Sequence, residues 1–134
     1  MRMMMVIAAA AALAGAPMAQ ARPPLRDVAE INDGLFAVAV ADEIRKECRS
    51  ISARMLRALN YINALEKRAQ ELGYSKQEIK AYVKSKEEKA RMRARGEAYL
   101  KANGASYADP ETFCKLGKAE IAKGSRIGQL LRAK

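Results

Sequence analysis

The side chains that could carry chemistry in this 134-residue chain are few, and their placement speaks against catalysis. There is no histidine, so general acid–base work would fall to a carboxylate held in an environment that shifts its pKa. The carboxylates mostly stand beside Lys or Arg at helix-surface spacings, as Glu43 and Glu47 do around Lys46 and as Glu66 does beside Lys67. That is the pattern of solvated faces. The serines at 50, 52, 75, 85 and 125 fall where helices begin, and none lies in a nucleophile-elbow pattern. The glycines stand singly or at helix ends, never as a loop that could cradle a phosphate. The two cysteines, Cys48 and Cys114, have no second cysteine nearby, which disfavours both metal ligation and a reactive thiol. In an oxidising compartment an isolated pair of this kind bonds, and the chain-entropy argument gives roughly 4 kcal/mol for closing such a loop. No catalytic residue, metal site or cofactor is expected, and the chain reads as a non-enzyme.

The compartment follows from the first residues. After Met1-Arg2, every residue from Met3 to Ala16 is apolar or small. The run is shorter than the roughly 20 residues that span a bilayer, and it matches a secretory h-region. Pro17 and then Ala19-Gln20-Ala21 supply a helix stop and a small-x-small site, so residues 1–21 read as a cleavable signal, cut before Arg22. An uncleaved N-terminal anchor is the alternative. The expected location is the periplasm, peripheral to the inner membrane.

Residues 22–134 then form a single domain. Residues 22–31, with two prolines, read as an extended lead-in. A first helix starts at Asn32 or Asp33 and buries Phe36, Val40, Ile44 and Cys48 at spacings of four. Ser50 or Ser52 caps a second helix to Leu72, whose Met55, Leu59, Ile62, Leu65, Ala69 and Leu72 give the strongest helical period in the chain. Gly73 stops it. Ser75 with Glu78 forms a capping box, and Tyr74 with Ile79 a hydrophobic staple, for a third helix to about Lys84. Ser85 with Glu88 restarts a fourth, ending near Ala102 with a thin apolar face. Asp109-Pro110 opens a fifth through Phe113 and Cys114 to Gly124, and Ser125 caps a short sixth carrying Ile127, Leu130 and Leu131. No segment shows a useful period of two. The fold class is all-α: a compact bundle of five to six short helices, with Cys48–Cys114 holding the C-terminal pair against a core built by the first two.

Charge is uneven along the chain. From Arg22 to Ser75 there are nine basic and eight acidic residues; from Lys76 to Lys134 there are fifteen and seven. A basic half suits an anionic partner, whether lipid headgroups or an acidic protein face, and it equally suits a solvated helix face that keeps a small domain soluble. Nucleic acid is the weakest of the anionic partners, since the expected compartment, the few stacking aromatics and the lack of a framing motif all argue against it, and no nucleic-acid partner is expected. The candidate partner-binding residues are Lys89, Arg91, Arg93 and Arg95, with an apolar tip made by Ile127, Leu130 and Leu131.

Several segments carry a resemblance: Glu43-Ile44-Arg45, Tyr82-Val83-Lys84-Ser85, the run Lys89 to Leu100, Phe113-Cys114-Lys115-Leu116-Gly117, and Gly124 to Leu131. Over most of residues 25–132 the chain resembles a family of short secreted alphaproteobacterial proteins known as a domain of unknown function. The resemblance implies association with the respiratory NADH:quinone oxidoreductase, complex I, as a periplasmic accessory subunit among the protein subunits of a membrane complex. A free basic binding module for anionic lipid or acidic protein surfaces, or an assembly factor, is the alternative.

Overall fold

The computed structural model describes residues 22–134. The expected signal segment, residues 1–21, lies outside the described residues.

Six α-helices and one small strand pair make up the described chain, with a 3-10 turn at Leu25–Asp27 before them. The helices are α1 (Ala29–Glu47), α2 (Met55–Glu71), α3 (Lys76–Lys84), α4 (Lys86–Ala102), α5 (Glu111–Lys123) and α6 (Arg126–Gln129). Strands β1 (Ile51–Ala53) and β2 (Leu131–Ala133) pair antiparallel, Ile51 opposite Ala133. The all-α reading holds, and Cys48 and Cys114 are bonded to each other.

Helix α1 is the axis against which α2, α4, α5 and α6 pack. Its inner face carries Ala37, Val40, Ala41 and Ile44 into the main core, where they meet Leu100 and Phe113. A smaller cluster of Leu25, Ile31, Ala69 and Tyr74 lies at the other end of α1. Close approach between elements is secured by glycine. A Cβ on Gly117 would meet Ile44 Cγ2 of α1 at 2.8 Å, and one on Gly128 would run into the backbone of Glu120.

Local signals placed most boundaries. The Oγ atoms of Ser75, Ser85 and Ser125 accept from the backbone N–H of Glu78, Glu88 and Gly128 respectively, so all three act as N-caps. Asp109 Oδ1 accepts from Glu111 N, and Gly124 ends α5 with a φ of 64°. Tyr74 and Ile79 share the smaller cluster, as a staple should.

Four expectations are corrected. The segment 22–31 is not all extended: it contains the 3-10 turn, and α1 begins at Ala29. Asn32 is no cap, because its side chain is buried inside α1, donating to the carbonyls of Leu25 (2.6 Å) and Val28 (2.9 Å) and accepting from the Tyr82 hydroxyl. Neither Ser50 nor Ser52 caps α2, because residues 51–53 are claimed by pairing with 131–133, and the Arg54 N–H donates to Leu130 O at 2.8 Å. And α2 does not build the core with α1: of its apolar stripe only Ala69 is buried. The core is α1 with the C-terminal segment.

Candidate functional site: an apolar groove beside a lysine row

The apolar stripe that α2 fails to bury faces a groove. Its floor is the outer face of α1, including Leu35 and Val38; α2 forms one wall with Met55, Leu59 and Ile62; α3 and the start of α4 form the other with Val83 and Met92. This section has a volume of about 360 Å³. A neighbouring section of about 470 Å³ continues it between α2 and α3, sharing Leu35, Ile62, Tyr82 and Val83. The groove is open along its side, leaving Met55 60%, Leu59 52% and Val83 50% exposed. Large apolar side chains gathered on one surface in this way mark a contact region more often than isolated ones do.

The rim is charged, and most of its carboxylates are already taken. Asp42 is held by Arg45 at 2.6 Å and Lys46 at 2.9 Å. Partial burial raises its pKa, but the hydrogen bonds from Lys46 and Arg45 outweigh that and hold it below the ordinary carboxylate value. Glu88 lies between Arg26 and Arg91, 3.8 Å from each. Tyr82, bonded to Asn32, has its phenol pKa raised by burial and then by the Glu88 charge. Both shifts, down for the Asp42 carboxyl and up for the Tyr82 phenol, run away from neutral pH.

Along the α3 wall stand Lys76, Lys80 and Lys84, spaced by four and therefore on one face of the helix. All three are exposed, and among the described residues none has an ion-pair partner. Lys89 extends the positive edge at the start of α4.

The expected binding residues separate accordingly. Ile127, Leu130 and Leu131 form no exposed tip: they are 6%, 2% and 1% exposed, part of the main core, because α6 folds back onto α5 and β2 pairs with β1. Arg95 holds the molecule together, bonding Asp33 at 2.8 Å and lying over the Phe36 ring at 4.1 Å, so it ties α4 to α1. Arg91 is occupied by Glu88. Lys89 lines the groove, and Arg93 lies exposed on a smaller depression of about 280 Å³ that Gly96 and Leu100 also line. The lysines of α3 and the exposed residues of α2 were not among the candidates. Their spacing was visible in sequence, but not the fact that the two helices flank one groove.

Outside the groove, the buried Glu120 is the centre of a second polar cluster. It accepts from the hydroxyls of Tyr99 and Ser125 and lies 3.4 Å from Lys123 Nζ. Burial raises its pKa, yet the bonds from Ser125 and Tyr99, with the Lys123 charge, bring it below the ordinary value. Tyr99 in turn is pushed up to about 12 by burial and by its bond to Glu120. This cluster locks α4, α5 and α6 together.

Among the described residues there is no group of three or more metal-type side chains. Nor, among the same residues, is any helix long and apolar enough to cross a membrane. Residues 23–132 match a family described as a family of unknown function (DUF5333). The chain belongs to that family. The match spans all six helices, so the groove, the disulfide and the Glu120 cluster all lie within the DUF5333 region. Neither the curated proteins nor the solved structures include a match to this DUF5333 chain.

Proposed function

We propose that this protein is a non-enzymatic periplasmic accessory subunit that works by attachment to a membrane-bound respiratory complex, with NADH:quinone oxidoreductase the complex to which its resemblance points. The observation that carries the reading is the uncovered apolar face of α2, with Met55, Leu56 and Leu59 all more than half exposed on the chain taken alone. A face of that kind is costly in water and gains when a partner covers it. The groove offers apolar area for docking: two of its three carboxylates, Asp42 and Glu88, are paired with neighbouring cations, and its phenol, Tyr82, is tied to Asn32. The signal-like run at residues 3–16 supports export.

The test is affinity capture of the protein from detergent-solubilised membranes, with the captured subunits quantified by mass spectrometry. An accessory subunit brings down the complex in fixed stoichiometry, and its deletion loosens the complex while leaving NADH oxidation by the remaining core intact. Recovery of the protein alone after a salt wash would instead establish the free basic module, for which the lysine row is the favouring observation. Substoichiometric, transient capture would mark an assembly factor.

A further inference from the structure

We propose that the groove between α2 and α3–α4 receives an amphipathic helix of a partner protein that carries a row of carboxylates along the flank facing α3. This rests on the attachment reading above and specifies the partner's chemistry. The apolar floor and walls suit the helix-in-groove mode, in which a helix lays side chains at i, i+3, i+4 and i+7 against a hydrophobic channel. The charge on the walls sets the orientation. Lys76, Lys80 and Lys84 recur every helical turn, which strings three ammonium groups over about 12 Å of α3, and Lys89 continues the edge. On the opposite wall, α2 presents Glu66, the one groove-lining carboxylate without an ion-pair partner among the described residues.

That distribution decides between occupants. An anionic lipid carries its charge at one end of an apolar tail, so it calls for a cluster of cations at the mouth of an enclosed slot. Here the cations run along the length of an open one. A helix with acidic residues every fourth position matches the row charge for charge. A second copy of this chain is disfavoured, since the chain carries a net charge of +10 and its α2 brings Arg57, Lys67 and Arg68 against Glu66 and Glu71.

The test uses the protein as purified from the cell and three synthetic amphipathic helices: one with a leucine face and a glutamate flank, one with the same face and a lysine flank, and one with the glutamate flank and serines in place of the leucines. The first should bind at least about tenfold more tightly than the other two, a gap of about 1.4 kcal/mol, and should weaken as salt rises. Reversing the row with Lys76→Glu, Lys80→Glu and Lys84→Glu should switch the preference to the lysine-flanked helix. Leu59→Asp should abolish binding with the circular dichroism melt unchanged, since that side chain is half exposed. Equal binding of all three peptides, or full binding by the Leu59→Asp protein, overturns the proposal. So does binding to phosphatidylglycerol vesicles with none to the peptides, or a dimer that Leu59→Asp dissolves. The two readings fail separately. If the charge-reversed protein still captures the membrane complex in full, attachment stands and this docking mode falls. If the wild type discriminates among the peptides but captures no complex, the docking mode stands and the subunit assignment falls.

Discussion

Phe113 and Leu59 are both large apolar residues on helices whose apolar positions recur every three or four residues, yet Phe113 is fully buried under α1 while Leu59 keeps 52% of its surface exposed. The C-terminal region is closed by several independent devices: the disulfide, the strand pair, the Glu120 cluster and the close approach of Gly128 to α5. The α2–α3 region has only one side of a core. It rests on α1 through the small cluster around Ala69 and Tyr74, touches the edge of the main core through Ala58 and Tyr61, and is pinned at its rim by exposed ion pairs such as Arg68–Glu30, which contribute little. Amphipathic periodicity thus identifies an apolar face without identifying what covers it. One such face is covered within the chain, and the other stays exposed on it.

Substitutions can sharpen or break that contrast. The largest effect is expected for Phe113→Ala, about 3–5 kcal/mol of lost stability in denaturant unfolding, because a fully buried aromatic leaves a cavity. Replacing both Cys48 and Cys114 by Ala should cost roughly 4 kcal/mol, since the bond closes a separation of 66 residues. Gly128→Ala should cost about 1–3 kcal/mol, as its Cβ would be driven into the Glu120 backbone.

The Glu120 cluster predicts a response to pH at both extremes. The folded-state pKa of Glu120 is lowered, so its contribution is present above the ordinary value of 4.5 and is lost as pH falls through the folded value. Tyr99 is raised from 10 to about 12, so its contribution is full below pH 10 and is lost as pH climbs towards 12. Thermal melts across pH should therefore show an acid limb that Glu120→Gln flattens and an alkaline limb that Tyr99→Phe flattens. The smallest effect belongs to the open region: Leu59→Ser should shift stability by no more than about 0.5 kcal/mol, and a loss comparable to that of Phe113→Ala would mean that α2 is covered within the monomer.

What could be read from sequence was what is decided locally. The Ser75, Ser85 and Ser125 caps each depend on residues within one turn, and the helices they start were legible for that reason. The Cys48–Cys114 bond was legible because these are the only two cysteines. The start of α1 is misplaced because Asn32, besides donating to Leu25 and Val28, accepts from Tyr82, on a helix far along the chain, and is held inside α1. Ser52 was misread as a cap because the partner of its strand, Leu131–Ala133, is equally distant. The same pairing turns Leu130 and Leu131 inward, so an apparent apolar tip became core. For the groove, the rows on α2 and α3 were each visible, but only the tertiary packing sets them on opposite walls.

The pairing of Ile51 with Ala133 also fixes an order of events. Helix α1 is synthesised early, but its inner face is covered by side chains from 113 to 131, so the main core can close only after nearly the whole chain is available. Such long-range closure is slow compared with local helix formation. A nascent chain therefore keeps the inner face of α1 unsealed until residues 113–131 have been made, and the whole molecule locks only at the end of synthesis.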